Sequence, residues 1–585
     1  MSPARTRLVA GAAALLAGTS LLAGCSGASG SSSASHDSID YALPANFTPN
    51  WILPIGTAAH LNTNNISIAN TLWEPLVAYD GSTGKIAWNK AGSVATAADF
   101  ASDGKSVRIT LGDRHWSDGK PITSRDVQFW FDLIKANKAQ WAGYNPGKAP
   151  DNWTSFKAED DRHFTITFDK SYNPQWMLAN ELSQITPLPQ HVWDKGGDAE
   201  QVWTYLNNAA KNIAGYQTNA LWKAISGPYA VKSFSTAGKV VLTANTKYDG
   251  GEKPAVPTVN LLPFTTADAE KNALRSGGVD YGYIEATDLD QKDSFTAQGY
   301  SVKPWSGWAI TYMPYNFNNP AMGAVFKQLY ARQAVQRSID QGTVAKVVFN
   351  STAVPGYGPI PQGQASDFVS SVQKSNPYPF STSAAQKLLT DHGWTEQGGV
   401  MTCTSPGSGA SRCGEGVAKG TKFEMQVLSQ SGSTVTDNMM SAIQSSLAKT
   451  GIKFSIKTAP VNSVLSQTPP CTSGQSVCKW QLSFFGTAGS WYFNAFPTGD
   501  SLFQSKGGSN FGNYSNPEVD KLISASTTSS SNQAIQDYSA ALAKDLPVIW
   551  LPEPVYQISV VKNGLGGFSQ DSLANFHPAQ WKWTS

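Results

Sequence analysis

The sequence predicts an α/β protein on three observations. Ser106-Val107-Arg108-Ile109-Thr110-Leu111 alternates polar and apolar residues, as a half-buried strand does. Thr123-Ser124-Arg125-Asp126 reads as a capping box that opens a helix, whose apolar residues Val127, Trp130, Phe131 and Ile134 recur at helical spacing. Phe423, Met425 and Val427, then Met440, Ile443 and Leu447, then Ile452, Phe454 and Ile456 mark a strand, a helix and a second strand, with a crossover long enough for parallel pairing.

The chain of 585 residues begins with Arg5 and Arg7, followed by an apolar or small run from Leu8 to Leu22. That is the layout of a secretory signal, and it is short for a membrane span. Its end, Leu22-Ala23-Gly24-Cys25, resembles the lipobox of bacterial lipoproteins. The resemblance implies a signal peptide over 1–24, removed before Cys25, and a lipid on the Cys25 sulfur. Residues 25–36 are then the lipidated cysteine and a flexible Ser/Gly spacer. The expected location is the extracytoplasmic face of the cell membrane, reached through the lipid anchor alone.

A net charge of +2 and a pI near 8.1 give no electrostatic reason to expect nucleic acid. With 41% hydrophobic and 15% charged residues the chain can bury a sizeable core. Besides Cys25 it carries Cys403, Cys413, Cys471 and Cys478, an even number that favours disulfides on an exported chain. Three pairings are possible; Cys403–Cys413 and Cys471–Cys478 are the economical ones, because each pair lies within one Gly/Ser/Thr-rich loop.

Further along, Ser117-Asp118-Gly119-Lys120-Pro121 reads as a turn, and Phe164, Ile166 and Phe168 as a strand. Val325, Phe326, Leu329, Val335 and Ile339 predict one helix across 324–340. Asn516-Pro517-Glu518-Val519-Asp520 starts a helix well, with a capping Asn, a Pro at the first helical position and acids at the positive end.

The order of motifs resembles the family 5 extracellular solute-binding proteins of ABC importers. Asn70 through Leu76, Trp116 through Val127 (the "WSDGxPxTAxDV" pattern), Ile185 through Trp193, Ser226-Gly227-Pro228-Tyr229, Asn272 through Asp280, Arg332 through Asp340 and Tyr514 through Asp520 all match in family order. The resemblance implies a bilobal, periplasmic-binding-protein-like (type II) fold with an extra inserted domain and a hinged ligand cleft. It implies a discontinuous first lobe of 37–75, 224–305 and 545–585, an inserted domain of 76–223, and a second lobe of 306–544. The implied partners are ABC permease and ATPase subunits and a small solute, foremost an oligopeptide. The chain is expected to act as a monomer.

Catalytic signatures do not appear. Gly104-Lys105-Ser106 looks like the end of a P-loop, but Asp99 stands where the first glycine belongs. There is no G-x-S-x-G elbow or H-E-x-x-H, and the His residues are dispersed. No metal, cofactor or enzyme activity is expected; a secreted hydrolase is the competing class.

In the family frame, hinge and cleft segments single out His60, Asn62, Tyr283, Glu285, Trp308, Tyr357, Trp491 and Tyr492 as ligand contacts; packing at the hinge is the alternative for each. Peptide binders of the family carry an Asp in the stretch that here reads Phe485-Gly486-Thr487-Ala488-Gly489-Ser490-Trp491-Tyr492, without an acid. A buried ammonium lacking a carboxylate is costly. Three readings stay open: Glu285 or another acid substitutes, the peptide is held away from its terminus, or the solute is an uncharged oligosaccharide stacked on Trp faces.

Overall fold

In the computed structural model, the described residues are 37–44, 48–60, 62–363, 367–486 and 489–584. The signal segment, the spacer and Cys25 lie outside them.

A seven-stranded mixed sheet gathers three distant stretches of chain. Its order is Tyr300–Trp305, Gln557–Lys562, Tyr281–Ile284, Ser38–Ala42, Thr258–Leu262, Val240–Ala244, Tyr229–Phe234. Ser38–Ala42 sits centrally and pairs in parallel with both neighbours, and the remaining pairings are antiparallel. Central parallel strands are buried on both faces, which suits the apolar Ile39, Tyr41 and Ala42. Gly227 opens the edge strand: its amide donates to Leu72 O at 2.8 Å, and a Cβ there would lie 2.3 Å from Thr71 O. No side chain fits at that approach, so the Ser-Gly-Pro-Tyr turn needs its glycine.

A four-stranded antiparallel sheet covers 95–168, ordered Ala95–Phe100, Ser106–Leu111, His163–Phe168, Trp153–Ala158. The helix Ser124–Asn137 follows the expected capping box, with the Thr123 amide donating to Asp126 Oδ2 at 2.8 Å, and buries Val127, Trp130, Phe131 and Ile134. The strands Glu424–Gln430 and Lys453–Ala459 pair in parallel around the helix Thr434–Ala448, and Leu482–Phe484 adds a third parallel strand. Asn516 caps Pro517–Thr528, accepting from the Glu518 and Val519 amides.

Two expectations are corrected. The single helix across 324–340 is two, Gly323–Phe326 and Leu329–Arg337, with Gln328 extended between them. The Arg332 guanidinium explains the break: it donates to Phe326 O at 2.6 Å and binds Asp545, so a side chain takes a carbonyl that a continuous helix would have used. The strand Val548–Leu551 lies beyond the 545 boundary yet pairs with Ala309–Pro314, which also pairs with Ser490–Tyr492. Sheet pairing therefore puts it with the segment that begins at 306.

The disulfides are Cys403–Cys413 and Cys471–Cys478, with Cα atoms 6.0 Å and 5.5 Å apart. Among the described residues no helix is long and apolar enough to cross a membrane.

Candidate functional site: an aromatic cavity between distant segments

A cavity of ≈ 680 Å³ is walled by residues from within 51–60, 65–80, 89–92, 141–143, 179–186, 493–495 and 573–580, with Pro228, Tyr248, Gly251 and Glu252. Its volume falls within the ~300–1,000 Å³ typical of small-molecule sites. Trp51, Tyr79, Trp141, Phe493 and Phe576 give it apolar walls, while Asn70, Gln184, Asn494 and Asn575 supply amides. That mixture suits a solute with apolar parts and a polar backbone.

Of the residues expected at the site, His60 lines the cavity. Its ring stacks on Trp51, centroids 3.9 Å apart and 9° from parallel. Burial, helped by the charge of Lys211, lowers its pKa, which keeps the imidazole neutral at neutral pH.

The other seven do not line it, each for a local reason. Asn62 is the cap of the helix Thr63–Leu72, its side-chain oxygen accepting the Asn65 amide at 2.9 Å. Tyr283 lies in the core of the seven-stranded sheet, its hydroxyl on that of Tyr41. Glu285 accepts from the Ser433 hydroxyl and the Thr434 and Val435 amides at the start of the helix Thr434–Ala448. Burial raises its pKa, and those donors oppose the rise. Glu285 thus already has partners at a helix N-terminus. The Tyr357 hydroxyl oxygen accepts from the Asn376 side-chain amide. Trp491 and Tyr492 pair across to Ile310 and Ala309, and the Tyr492 ring meets Tyr556 edge-on at 5.4 Å.

Trp308 acts one step removed. Its indole N–H donates to Asn494 O at 3.0 Å, and its carbonyl accepts the Phe493 amide at 3.0 Å, so it fixes the stretch that walls the cavity. Its own amide donates to Ser572 O at 2.7 Å, while the Tyr556 amide donates to Trp305 O at 2.6 Å. The stretch 305–308 is therefore tied by backbone bonds to Tyr556 and Ser572.

Residues missed at the sequence level include Trp141, Asp80, Asn494, Asn575 and His577. Asp80, Asp571 and His577 bring a carboxylate or ring atom each within 4.8 Å of one another. Such a set matches metal-ligand types, but both oxygens of Asp571 are taken: Oδ1 by the Gly81 and Leu573 amides, Oδ2 by Asn575 Nδ2 and His577 Nε2. A metal would have to displace those donors.

A cavity with aromatic and amide walls, built from segments far apart in the chain, is the kind of site a solute-binding protein uses. The comparisons with known proteins place it further. The chain matches "Bacterial extracellular solute-binding proteins, family 5 Middle" over residues 91–510, more than half its length, and belongs to that family. The first curated relatives it matches, from Brucella species and provisionally named ABC transporter peptide-binding proteins, are 24% identical over 402 residues, 68% of this chain and 65% of their own. The chain thus spans just under two thirds of those relatives. The oligopeptide-binding protein AppA of Bacillus subtilis is 21% identical over 486 residues, 82% of this chain and 80% of that one. Its structure with a nonapeptide superposes with a TM-score of 0.72 at 17% identity, covering 94% of this chain and 99% of that one. A periplasmic EDTA-binding protein, EppA, superposes with a TM-score of 0.73 at 16% identity, covering 94% and 96%. These structures share the fold.

Proposed function

We propose that this chain is the extracytoplasmic receptor of an ABC importer, enclosing an oligopeptide between two lobes and presenting it unchanged to permease and ATPase subunits. One observation carries the reading: a cavity of ≈ 680 Å³ with aromatic and amide walls, lined by segments from across a family 5 fold. Amide side chains satisfy a peptide backbone, and aromatic walls take its side chains without demanding one sequence. The peptide-binding names of the Brucella and Bacillus relatives support the same solute class.

In this reading the lobes keep the boundaries expected from the sequence, with one shift, because Val548–Leu551 pairs with Ala309–Pro314. Residues 37–75, 224–305 and the strand Gln557–Lys562 onward form the first lobe, 76–223 its inserted domain, and 306–551 the second lobe. The crossings at 306–308 and 552–556 are the hinge. Solute binding shifts an open–closed equilibrium about them. The receptor works as a monomer, and lipid on Cys25 holds it at the membrane.

A second reading, an oligosaccharide, is favoured by the indole walls Trp51 and Trp141. Native mass spectrometry of the purified protein separates the two. Retained solutes with peptide masses are expected; mass increments of hexose units overturn the peptide reading.

A further inference from the structure

Among the described residues, the wall of the cavity carries carboxylates with no lysine or arginine to balance them; its bases are the imidazoles of His60 and His577. Its acids are Glu74, Asp80 and Glu252. Glu74 is neutralised, because one oxygen meets the Arg114 guanidinium and the other the Tyr248 hydroxyl. Asp80 and Glu252 pair with no lysine or arginine among the described residues. Glu252 is exposed, so water screens it. Asp80 is only partly exposed.

Asp80 also stands on a corner locked from behind. Its Oδ1 accepts the Ser82 amide at 2.6 Å. The Gly81 amide donates to Asp571 Oδ1 at 2.9 Å, and a Cβ on Gly81 would lie 2.1 Å from Ser572 Oγ, so the two strands of chain meet there at a distance only glycine allows. Asn575 Nδ2 clamps the same corner, donating to Asp571 Oδ2 at 2.7 Å and to Tyr79 O at 2.8 Å. Asp571 is fully buried and has four donors on its two oxygens. Asp80 Oδ2 has none among the described residues. The open acceptor of this corner is therefore Asp80, held by a rigid support.

We infer that the cavity selects a cationic solute, and that Asp80 is the specificity-determining residue that receives its ammonium group. An ammonium taken from water into a walled site needs an anion beside it, and a carboxylate needs a cation. The cavity offers the first; for the second it has only the imidazoles of His60, held neutral, and of His577, already held on Asp571 Oδ2. A solute's free carboxylate is consequently disfavoured inside, and a solute with an unblocked amine and no buried carboxylate is preferred. For a peptide, this assigns to Asp80 the role left vacant by the acid-free stretch from Phe485 to Tyr492. The choice of main probe rests on the peptide reading above; the charge argument does not.

Isothermal titration calorimetry on the whole mature protein tests it. Three forms of the peptide Ala-Ala-Phe-Ala-Ala are compared: free amine with amidated end, acetylated with amidated end, and acetylated with free carboxylate. Spermidine serves as a non-peptide cation. The free-amine form is expected to bind at least about tenfold more tightly than either acetylated form. Asp80→Asn should abolish that preference by weakening the free-amine form, while Glu252→Gln keeps it. The comparison of the three forms on the wild-type protein needs no variant to fold. Equal binding of the three forms, or an amine preference that survives in Asp80→Asn, overturns the inference and leaves the peptide reading standing. If no peptide form binds but spermidine does, and Asp80→Asn weakens it, the peptide reading falls and the inference stands. If neither peptides nor spermidine bind, both fall.

Discussion

Lys148 Nζ lies 2.9 Å from Asp500 Oδ2, and this ion pair ties the segment 76–223 to the segment 306–544. Lys148 also sits over the Trp176 ring, 4.2 Å from its centroid. Beside it the Asn173 amide donates to Thr527 O at 2.9 Å, and Asn180 Nδ2 to Phe496 O at 3.2 Å. In the two-lobe reading proposed above, these contacts hold the closed form. Asp500→Asn strands Lys148 with no carboxylate across the cleft. The pair is 19% and 13% exposed, which discounts the cost of breaking a buried pair to about 1–2 kcal/mol. Solute affinity should fall by about five- to thirtyfold, through faster release, as measured by stopped-flow dissociation. Unchanged release would show that the pair does not hold the lobes.

Two buried carboxyls give the fold a pH dependence of defined sign. Burial pushes Glu270 and Glu553 up to about 8, against an ordinary value of 4.5. Two backbone amides oppose the rise at Glu553, and the Tyr283 amide at Glu270. Between the two values the folded chain keeps protons that the unfolded chain has lost, so stability falls as pH rises, by up to about 1.4 kcal/mol per pH unit and group. The loss is complete above the folded value. Glu553→Gln and Glu270→Gln mimic the protonated form, so the double variant should unfold at higher urea than the parent at about pH 8 and lose most of the pH slope. An equal slope in parent and variant would refute the assignment.

The two disulfides close short loops, with sequence separations of 10 and 7. In the chain-entropy picture each contributes about 2–3 kcal/mol. The second loop is additionally pinned by Asn316 and Asn318, whose amides donate to Trp480 O and Cys471 O, both at 2.8 Å. Reductant should therefore lower the urea midpoint without unfolding the chain, and Cys471→Ala with Cys478→Ala should leave solute affinity intact. Loss of binding in that double variant would tie the loop to the site.

Cys25 belongs to the sequence-level reading. Cys25→Ser should move the protein from the membrane fraction to the soluble fraction with its fold retained, since the lipid is the proposed anchor. Full membrane association of the variant would remove the lipoprotein reading.

Local elements were legible where a side chain does its work within a few residues. The capping box Thr123–Asp126, the cap Asn516 and the strand–helix–strand of 424–459 all appear at the expected places. The helix across 324–340 was misread because its interruption depends on Arg332 reaching back to Phe326 O while Asp545, distant in sequence, holds the guanidinium. A periodicity test cannot sense a partner more than 200 residues away.

The sequence by itself determined the α/β class and the family motifs and favoured the pairing of each cysteine within its loop, because each depends on composition, period or short spacing. Only the tertiary structure decided the site. Asn62 and Glu285 look like ligand residues in sequence but spend their oxygens on helix N-termini, and Trp308 spends its indole on Asn494 O. Asp80 had no local signal at all. Its place at the wall depends on Gly81, Asp571 and Asn575, which meet across nearly 500 residues of chain. A free acceptor is defined by which donors every other part of the molecule has already committed, and that accounting exists only once the chain has folded.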